Sequence, residues 1–242
     1  MRNATYRELA SPARWLRRLF RLTLMTFIVY QIVTTIVVQS VLHKSVAMAP
    51  TLQAGERFFA LPLGYGPQMR LFGLVLPGVR APRHGDLALV RPGYVVEPGF
   101  AGRVADPFVR FFTLEHRRVG VGAGWDSSPQ IKRVIGLPGD TIRIERHVAY
   151  VRPAGRHEFV DEYALAGREY TLMIDDRPGA WEPLDPFGAA SETLTLGGDE
   201  YFVLSDNRSI GIDSRHWGPI GRANLITRIS LRFWPLRQIG RP

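Results

Sequence analysis

The chain has 242 residues, 45% of them hydrophobic, with 24 glycines and 18 prolines, a composition that favours a turn-rich β protein over a helical bundle. Its formal net charge is +9, but residues 1–21 hold six arginines and one glutamate, so most of the excess lies in one segment and argues against a nucleic-acid partner. The absence of cysteine excludes disulfides, cysteine-based metal sites and a thiol nucleophile. The six histidines show no metal-ligand spacing, so we expect no metal site.

Residues 22–42 form a run of 21 residues without a charged side chain, which predicts a transmembrane helix because about 20 apolar residues cross the hydrocarbon core. Arg17, Arg18 and Arg21 precede the run, so we expect a cytoplasmic basic N-terminal segment and a following domain outside the membrane. A cleavable signal peptide is the alternative, since Ser45-Val46-Ala47 fits the small-x-small cleavage pattern. The length of the apolar run favours the anchor.

Beyond the anchor, short apolar runs alternate with turn residues, which is typical of a β barrel or sandwich. We predict a β core over 43–144 and 199–236, a more acidic inserted subdomain over 145–198, and a tail over 237–242. The strongly apolar residues 58–76 either belong to the core or touch the membrane. The glycine-rich residues 93–130 are predicted to form an irregular insertion.

Lysine is rare in this chain: only Lys44 and Lys132 stand among the 31 basic residues. Lys132 lies in an apolar strand-like run, just before the turn sequence Leu-Pro-Gly-Asp at 137–140. Unlike arginine, lysine loses its proton when it is desolvated. A lone lysine more often packs its stem on apolar surface and extends its amine to water, so a functional interpretation depends on the other motifs.

Three stretches carry such motifs. They are Ser-x-x-Met-x-Pro-Thr-Leu at 45–52, Lys-Arg-x-x-Gly-Leu-Pro-Gly-Asp at 132–140, and Asp-Asn-Arg followed by Asp-Ser-Arg-x-Trp-Gly within 206–218. Placed after an apolar anchor, they resemble the type I signal peptidase family, membrane-anchored Ser/Lys endopeptidases that remove signal peptides from exported proteins. The resemblance implies a mostly β catalytic domain with an inserted β subdomain, on one N-terminal transmembrane helix.

The resemblance also assigns roles to residues. It places Lys132 at the position of the general base, where a neutral lysine takes the proton of a serine hydroxyl. A lysine pKa of about 10.4 must fall to about 7–8 for this role, and burial does so. Ser45 matches a position that helps to bind the oxyanion, and Met48 and Pro50 belong to the substrate-binding loop.

The last motif supplies supporting positions, which taken alone would be an ordinary solvated cluster. By resemblance, Asp213 and Arg215 brace the catalytic loops through ion pairs, and Asn207 and Ser214 satisfy nearby backbone groups. The full supporting set is Asp206, Asn207, Arg208, Asp213, Ser214 and Arg215.

The chain departs from the family at the nucleophile. The residue before the methionine of Met-x-Pro-Thr-Leu is serine in the family and Ala47 here. A second departure is Gly211, which stands where the family often has a hydroxyl residue that hydrogen-bonds the lysine. Ser205 replaces the usual glycine before Asp-Asn-Arg, which is a milder change.

Three explanations of Ala47 stay open: an engineered Ser→Ala substitution, a natural loss of the nucleophile, or a shift that makes Ser45 the attacking residue. The Ser45 hydroxyl lies two residues from the nucleophile position, and a misplacement of about 1 Å can already cost 10²-fold in rate. We therefore expect little or no turnover from this chain. Two further functions compete with signal-peptide removal. One is a non-catalytic signal-peptide-binding or membrane-anchored interaction protein, and the other is a protease dedicated to one substrate.

The resemblance further implies signal peptides of exported preproteins as substrates, membrane lipid as surroundings and the secretion translocon as a candidate partner, with no cofactor. It places the chain in the cell (inner) membrane as a single-pass protein. The N-terminus is then cytoplasmic, and the catalytic domain lies on the periplasmic or extracellular side.

Overall fold

The computed structural model of the chain describes residues 12–69, 74–95, 99–113, 119, 129–174 and 193–242. The predictions for the first eleven residues, for much of the second half of 93–130 and for 175–192 of the inserted subdomain lie outside the described part.

The N-terminal helix α1 (Pro12–Ile32) continues through a short π-helical segment, Val33–Val37. Together, Arg14–Val37 are long and apolar enough to cross a membrane, with a mean hydropathy of 1.6 and no part of the apolar window buried inside the protein. The predicted helix end at Leu42 is corrected. Val38 has extended backbone angles, and residues 39–42 form a strand whose backbone groups bond to the next strand instead of to the helix.

The rest of the described chain is mostly β, with short helices. The strands are β1 (Gln39–Leu42), β2 (Arg57–Leu61), β3 (Gln68–Met69), β4 (Leu74–Val75), β5 (Leu87–Val90), β6 (Gln130–Gly136), β7 (Thr141–Glu145), β8 (Val148–Arg152), β9 (Val160–Asp161), β10 (Leu194–Thr195), β11 (Glu200–Leu204), β12 (Ile220–Gly221) and β13 (Leu225–Trp234). The helices after α1 are α2 (Pro62–Tyr65), α3 (Phe100–Phe112), α4 (Glu162–Leu165) and α5 (Ser214–Trp217), with 3₁₀ turns at Arg222–Asn224 and Leu236–Gln238.

Seven strands form the main sheet, in the order β1-β2-β13-β5-β6-β11-β12, and every neighbouring pair is antiparallel. The centre of this sheet is buried on both faces. Along β5, Leu87 and Leu89 belong to one hydrophobic cluster and Ala88 and Val90 to another, because successive side chains point to opposite faces. Lys132 on β6 lies opposite Ala88, so its side chain is on the same face of the sheet as the cluster that contains Ala88 and Val90.

A smaller sheet of four strands, in the order β10-β7-β8-β9, packs against the main sheet. Its hydrophobic cluster includes Ile142 and Val151 from the small sheet and Ile135, Phe202 and Leu204 from β6 and β11. The two sheets thus share one core. The small sheet begins at Thr141, four residues before the predicted start of the inserted subdomain, because β7 follows the Pro-Gly-Asp turn directly.

Two further segments differ from the prediction. The insertion 93–130 is not irregular throughout, since Phe100–Phe112 form the helix α3. In the apolar stretch 58–76, Phe58 and Tyr65 are buried whereas Leu61 and Leu63 are exposed. The mostly β fold with one N-terminal apolar helix is confirmed.

Candidate active site

Lys132 lies in the middle of β6 and is only 1% exposed. Its Nζ donates a hydrogen bond to Oγ of Ser205 at 2.7 Å, and the ring centroid of Trp217 lies 5.7 Å from Nζ. Burial lowers the pKa of Lys132 to about 8, against the opposing charge of Asp213. About a tenth of this amine is then neutral at pH 7, which suits a general base.

The loop that carries Ser45 and Ala47 is attached to the segment that follows β11. The Ala47 carbonyl accepts a hydrogen bond from the Asn207 amide at 2.9 Å, and the Thr51 hydroxyl donates to Asp206 at 2.5 Å. Within the loop, the Ala47 amide donates to Oγ of Ser45 at 3.0 Å. The loop is therefore bonded to Asn207, which lies two residues after Ser205, the hydrogen-bond partner of Lys132.

The two predicted substrate-binding residues differ in accessibility. Met48 is completely buried in the hydrophobic cluster that also contains Leu52 and Phe58, so its side chain supports the loop from beneath and presents no surface. Pro50 is exposed. Of these two side chains, only that of Pro50 is open to a peptide in this structure.

Asp213 and Arg215 form a buried ion pair, with Nε of Arg215 2.9 Å from Oδ1 of Asp213. Burial alone would raise the pKa of Asp213, but the Arg215 charge and its hydrogen bonds lower it to about 2. Asp213 also accepts the Ser205 amide at 2.9 Å, and Arg215 donates to the carbonyls of Arg208 and Gly211 at 2.9 and 3.1 Å. Asp213 and Arg215 thus connect the backbone at Ser205, Arg208 and Gly211.

The other supporting residues also find partners. Ser214 Oγ accepts the Val203 amide at 3.0 Å, and Asn207 contacts the sulfur of Met173 through its side-chain amide at 3.1 Å. Met173 also forms an isolated parallel bridge with Asn207. The supporting positions thus fasten the last motif to its surroundings.

Sequence reasoning missed two side chains that complete this network. Arg133 pairs with Asp206 through a 2.6 Å contact between Nη2 and Oδ2, and Glu162 pairs with Arg208 at 2.5 Å, with all four side chains buried. Arg133 was within reach of the sequence, because it follows Lys132 in the quoted motif. Glu162 gave no signal, since it lies in the inserted segment.

His43 is a third missed residue, directly before the Lys44-Ser45 pair. It is 4% exposed, and burial lowers its pKa to about 4, with a smaller contribution from the Lys132 charge in the same direction. His43 is therefore neutral at pH 7. Nothing in the sequence pattern indicated that this histidine would be buried close to the lysine.

Known proteins resemble this chain over most of its length. A family model described as "Signal peptidase, peptidase S26" matches residues 16–234. A probable signal peptidase I-2 of Synechocystis sp. is 26% identical over 219 residues, which cover 90% of this chain and 73% of that protein. Signal peptidase IB of Staphylococcus aureus strain COL is 30% identical over 138 residues, which cover 56% of this chain and 70% of that protein.

A crystal structure of a signal peptidase I from Enterococcus faecalis V583 is 20% identical and covers 63% of this chain and all of that chain. The TM-score of this match is 0.32. The family match spans well over half of the chain, and the motifs at 45–52, 132–140 and 206–218 are joined by hydrogen bonds in the fold. The chain belongs to the signal peptidase family, peptidase S26.

Proposed function

We propose that the chain has the fold and anchor of a signal peptidase I-type serine endopeptidase, a class that removes N-terminal signal peptides through a Ser/Lys dyad, and that it is inactive because Ala47 occupies the nucleophile position. The observation that supports this most strongly is the buried amine of Lys132, whose pKa of about 8 suits a base. The Ala47 loop is hydrogen-bonded to the same segment that holds this amine.

The proposed chemistry follows from these positions. With serine at position 47, neutral Lys132 accepts the hydroxyl proton while the oxygen attacks the scissile carbonyl carbon. The oxyanion receives hydrogen bonds from the backbone amide of residue 47 and the hydroxyl of Ser45. The protonated lysine then gives its proton to the leaving amine, and water hydrolyses the acyl-enzyme with Lys132 again acting as base. In the present chain the Ala47 amide donates to Ser45 Oγ, so this N–H has to exchange Ser45 for the oxyanion, and the attacking oxygen is absent.

The substrate in this proposal is a signal peptide of an exported preprotein, cut after a small-x-small motif. We expect it to lie extended beside a strand edge, with its side chains at −1 and −3 in shallow apolar pockets. Arg17, Arg18 and Arg21, at the N-terminal end of the candidate span, support a cytoplasmic N-terminus and a catalytic domain on the outer side of the cell membrane. The secretion translocon is the partner that would supply such substrates.

Cleavage of a fluorogenic signal-peptide substrate in detergent tests the function. We expect no cleavage by the chain as given, cleavage by Ala47→Ser, and loss of that cleavage in Ala47→Ser with Lys132→Ala. If the chain as given cleaves and Ser45→Ala abolishes the activity, then Ser45 is the nucleophile and the assignment of position 47 is wrong.

A second candidate is a signal-peptide-binding protein that does not cut. Ala47 favours it, because this one position lacks the reacting oxygen while the ion pairs around it are complete. A stable 1:1 complex of the chain with a signal peptide, together with no cleavage by Ala47→Ser, would establish this function instead.

A further inference from the structure

Ser205 and Gly211 lie in contact, and the space between them admits only one side chain. Ser205 follows β11 directly and is completely buried. A Cβ atom at Gly211 would overlap Cβ and Oγ of Ser205 and would lie 2.7 Å from the Asn207 carbonyl oxygen. Gly211 does not have a positive φ, so its backbone conformation is open to any residue. Glycine is required at 211 because Ser205 and the Asn207 carbonyl oxygen fill the space.

The hydroxyl of Ser205 is directed at Lys132. Nζ of Lys132 donates to Oγ of Ser205 at 2.7 Å, between two fully buried side chains. The β6–β11 register pairs Leu204 with Arg133, which brings the next residue, Ser205, beside Lys132. The Ser205 amide is in turn fixed by Asp213 at 2.9 Å. Strand register and a buried ion pair therefore determine where this hydroxyl lies.

We propose that Ser205 is the positioning residue of Lys132, and that residues 205 and 211 form an exchanged pair in which the hydroxyl comes from 205 and the glycine lies at 211. Gly211 then marks no loss of function, because the hydroxyl missing there is supplied from the facing position. Ser205 is not itself the nucleophile, since its complete burial keeps a peptide carbonyl away.

The physical role of this hydroxyl is to accept one hydrogen bond of the amine. A buried amine without an acceptor carries a desolvation penalty, and a free ammonium group rotates. With one N–H held by Ser205, the remaining positions of the amine keep a defined direction towards the Ala47 loop. An acceptor also stabilises the charged form of the lysine, so its removal lowers the pKa of Lys132 further.

The two lysines of the chain make a direct test possible. In protein labelled with ¹³C at lysine Cε, NMR titration follows Lys132 together with Lys44, which is exposed and serves as the internal reference. We expect Ser205→Ala to lower the titration midpoint of Lys132 by about one pH unit and to leave that of Lys44 unchanged. Ser214→Ala removes another buried hydroxyl, which accepts from the Val203 amide, and should leave the Lys132 midpoint in place. Equal midpoints in Ser205→Ala and the parent chain would overturn the proposal.

The exchange is tested by reversing it in the Ala47→Ser background. We expect Ser205→Gly to reduce kcat about 10- to 100-fold with little change in KM. Ser205→Gly with Gly211→Ser should recover part of that loss, because the Asn207 carbonyl oxygen must shift to admit a Cβ at 211. The matched variant Ser205→Gly with Gly211→Ala fills the same space without a hydroxyl and should not recover. Gly211→Ser alone should lower the melting temperature, because two side chains then compete for one space.

These experiments separate the inference from the proposed function on which it rests. If Ala47→Ser does not cleave, the protease proposal fails while the lysine titration still decides the role of Ser205. If Ala47→Ser cleaves and the reversed pair does no better than its alanine control, the exchange is wrong.

A second, independent observation concerns α3, whose apolar side chains are exposed on one side. Phe100, Val104, Phe108 and Phe112 recur every four residues, and Phe100 and Phe112 are 74% and 70% exposed. The charged residues of the helix lie on the opposite side and are Arg103, Asp106 and Arg110. The exposed side of α3 is therefore apolar, and its charged side is turned towards the protein, where Arg110 and Asp106 are 16% and 13% exposed.

The contacts of α3 show where a membrane would be. The ring of Phe27, within the candidate span, stacks on Phe108 at a centroid distance of 4.7 Å and contacts Phe111 at 5.3 Å. Phe27 lies about ten residues, or about 15 Å along the helix, before the end of the span at Val37. A surface packed at this depth on a spanning helix lies within the hydrocarbon core, which is about 30 Å thick.

We infer that α3 is inserted in the hydrocarbon core beside α1, with Phe100 and Phe112 in contact with lipid; this rests on the proposed anchoring. Because the chain has no cysteine, single cysteines carrying an environment-sensitive dye report on it. In vesicles of phosphatidylethanolamine and phosphatidylglycerol, we expect the dye at Phe112→Cys to be quenched by doxyl-labelled lipid as strongly as at Val29→Cys on α1. The dye at the exposed Glu158→Cys should be quenched by iodide instead. Iodide quenching at position 112 with lipid quenching at 29 would refute the inference, and iodide quenching at both would refute the anchoring.

Discussion

Arg133 donates two hydrogen bonds to the buried carboxylate of Asp206, from Nε to Oδ1 at 2.7 Å and from Nη2 to Oδ2 at 2.6 Å. Residues 132 and 133 of β6 therefore bond to residues 205 and 206 in two successive pairs. Thr51 donates to the same carboxylate at 2.5 Å, so the ion pair also fixes the loop of Ala47 relative to Lys132. Arg133, next to Lys132 in the sequence, thus helps to determine where the Ala47 loop lies.

Asp206→Asn should destabilise the fold by about 3–5 kcal/mol, because it leaves the Arg133 guanidinium buried without a counter-charge. Denaturant unfolding followed by tryptophan fluorescence measures this loss. Glu145→Gln is the matched control, since its partner Arg143 and Glu145 are 39% and 50% exposed, and should change the unfolding free energy by less than about 0.5 kcal/mol. Equal effects of the two substitutions would contradict a structural role for the buried pair.

The cleavage activity of Ala47→Ser should depend on pH through Lys132. Only the neutral amine accepts a proton, and its pKa is lowered to about 8, so kcat/KM should fall about tenfold per unit below pH 8 and level off above it. A pH–rate profile at low substrate concentration measures this. A midpoint near 6.5 would point to a histidine as the base instead.

His43 should make the fold sensitive to acid. Its pKa is lowered from 6.5 to about 4 in the folded chain, so the unfolded chain takes up the proton first as the pH falls. The contribution of neutral His43 to the free energy of unfolding is complete above pH 6.5. It is lost as the pH falls from 6.5 to 4, by up to about 3 kcal/mol.

Unfolding free energies at pH 7 and pH 4.5 test the role of His43, with His43→Asn as the comparison. The variant should lose less stability over this interval than the parent chain, because the buried imidazole no longer titrates. A pH dependence that is the same in both proteins would show that other groups cause the acid loss.

The proposed orientation predicts which parts of the chain an impermeant maleimide reaches in intact spheroplasts. Glu158→Cys should react from outside, whereas Arg14→Cys at the start of the span should react only after lysis. Both positions are exposed in the structure, so burial does not limit the reaction. External labelling of Arg14→Cys would reverse the assigned orientation.

The sequence determined the features that depend on neighbouring residues. The uncharged run that begins at residue 22 is sufficient to indicate a spanning helix. The Leu-Pro-Gly-Asp sequence closes its own turn, in which Asp140 accepts the Leu137 amide at 2.9 Å and Gly139 has a φ of +82°. The apolar residues around Lys132 indicate a buried strand. The family was identifiable for the same reason, because its motifs are short and contiguous.

Only the tertiary structure decided which distant side chains meet. The pairs Lys132–Ser205 and Arg133–Asp206 each join residues 73 positions apart. The antiparallel β6–β11 register sets the first pair, because Leu204 faces Arg133 and the next residue faces Lys132. A shift of one residue in that register would turn every side chain of the strand to the other face. Gly211 illustrates the difference. In the sequence, Gly211 indicates a missing hydroxyl. In the fold, the Ser205 side chain occupies the space where a side chain at 211 would lie.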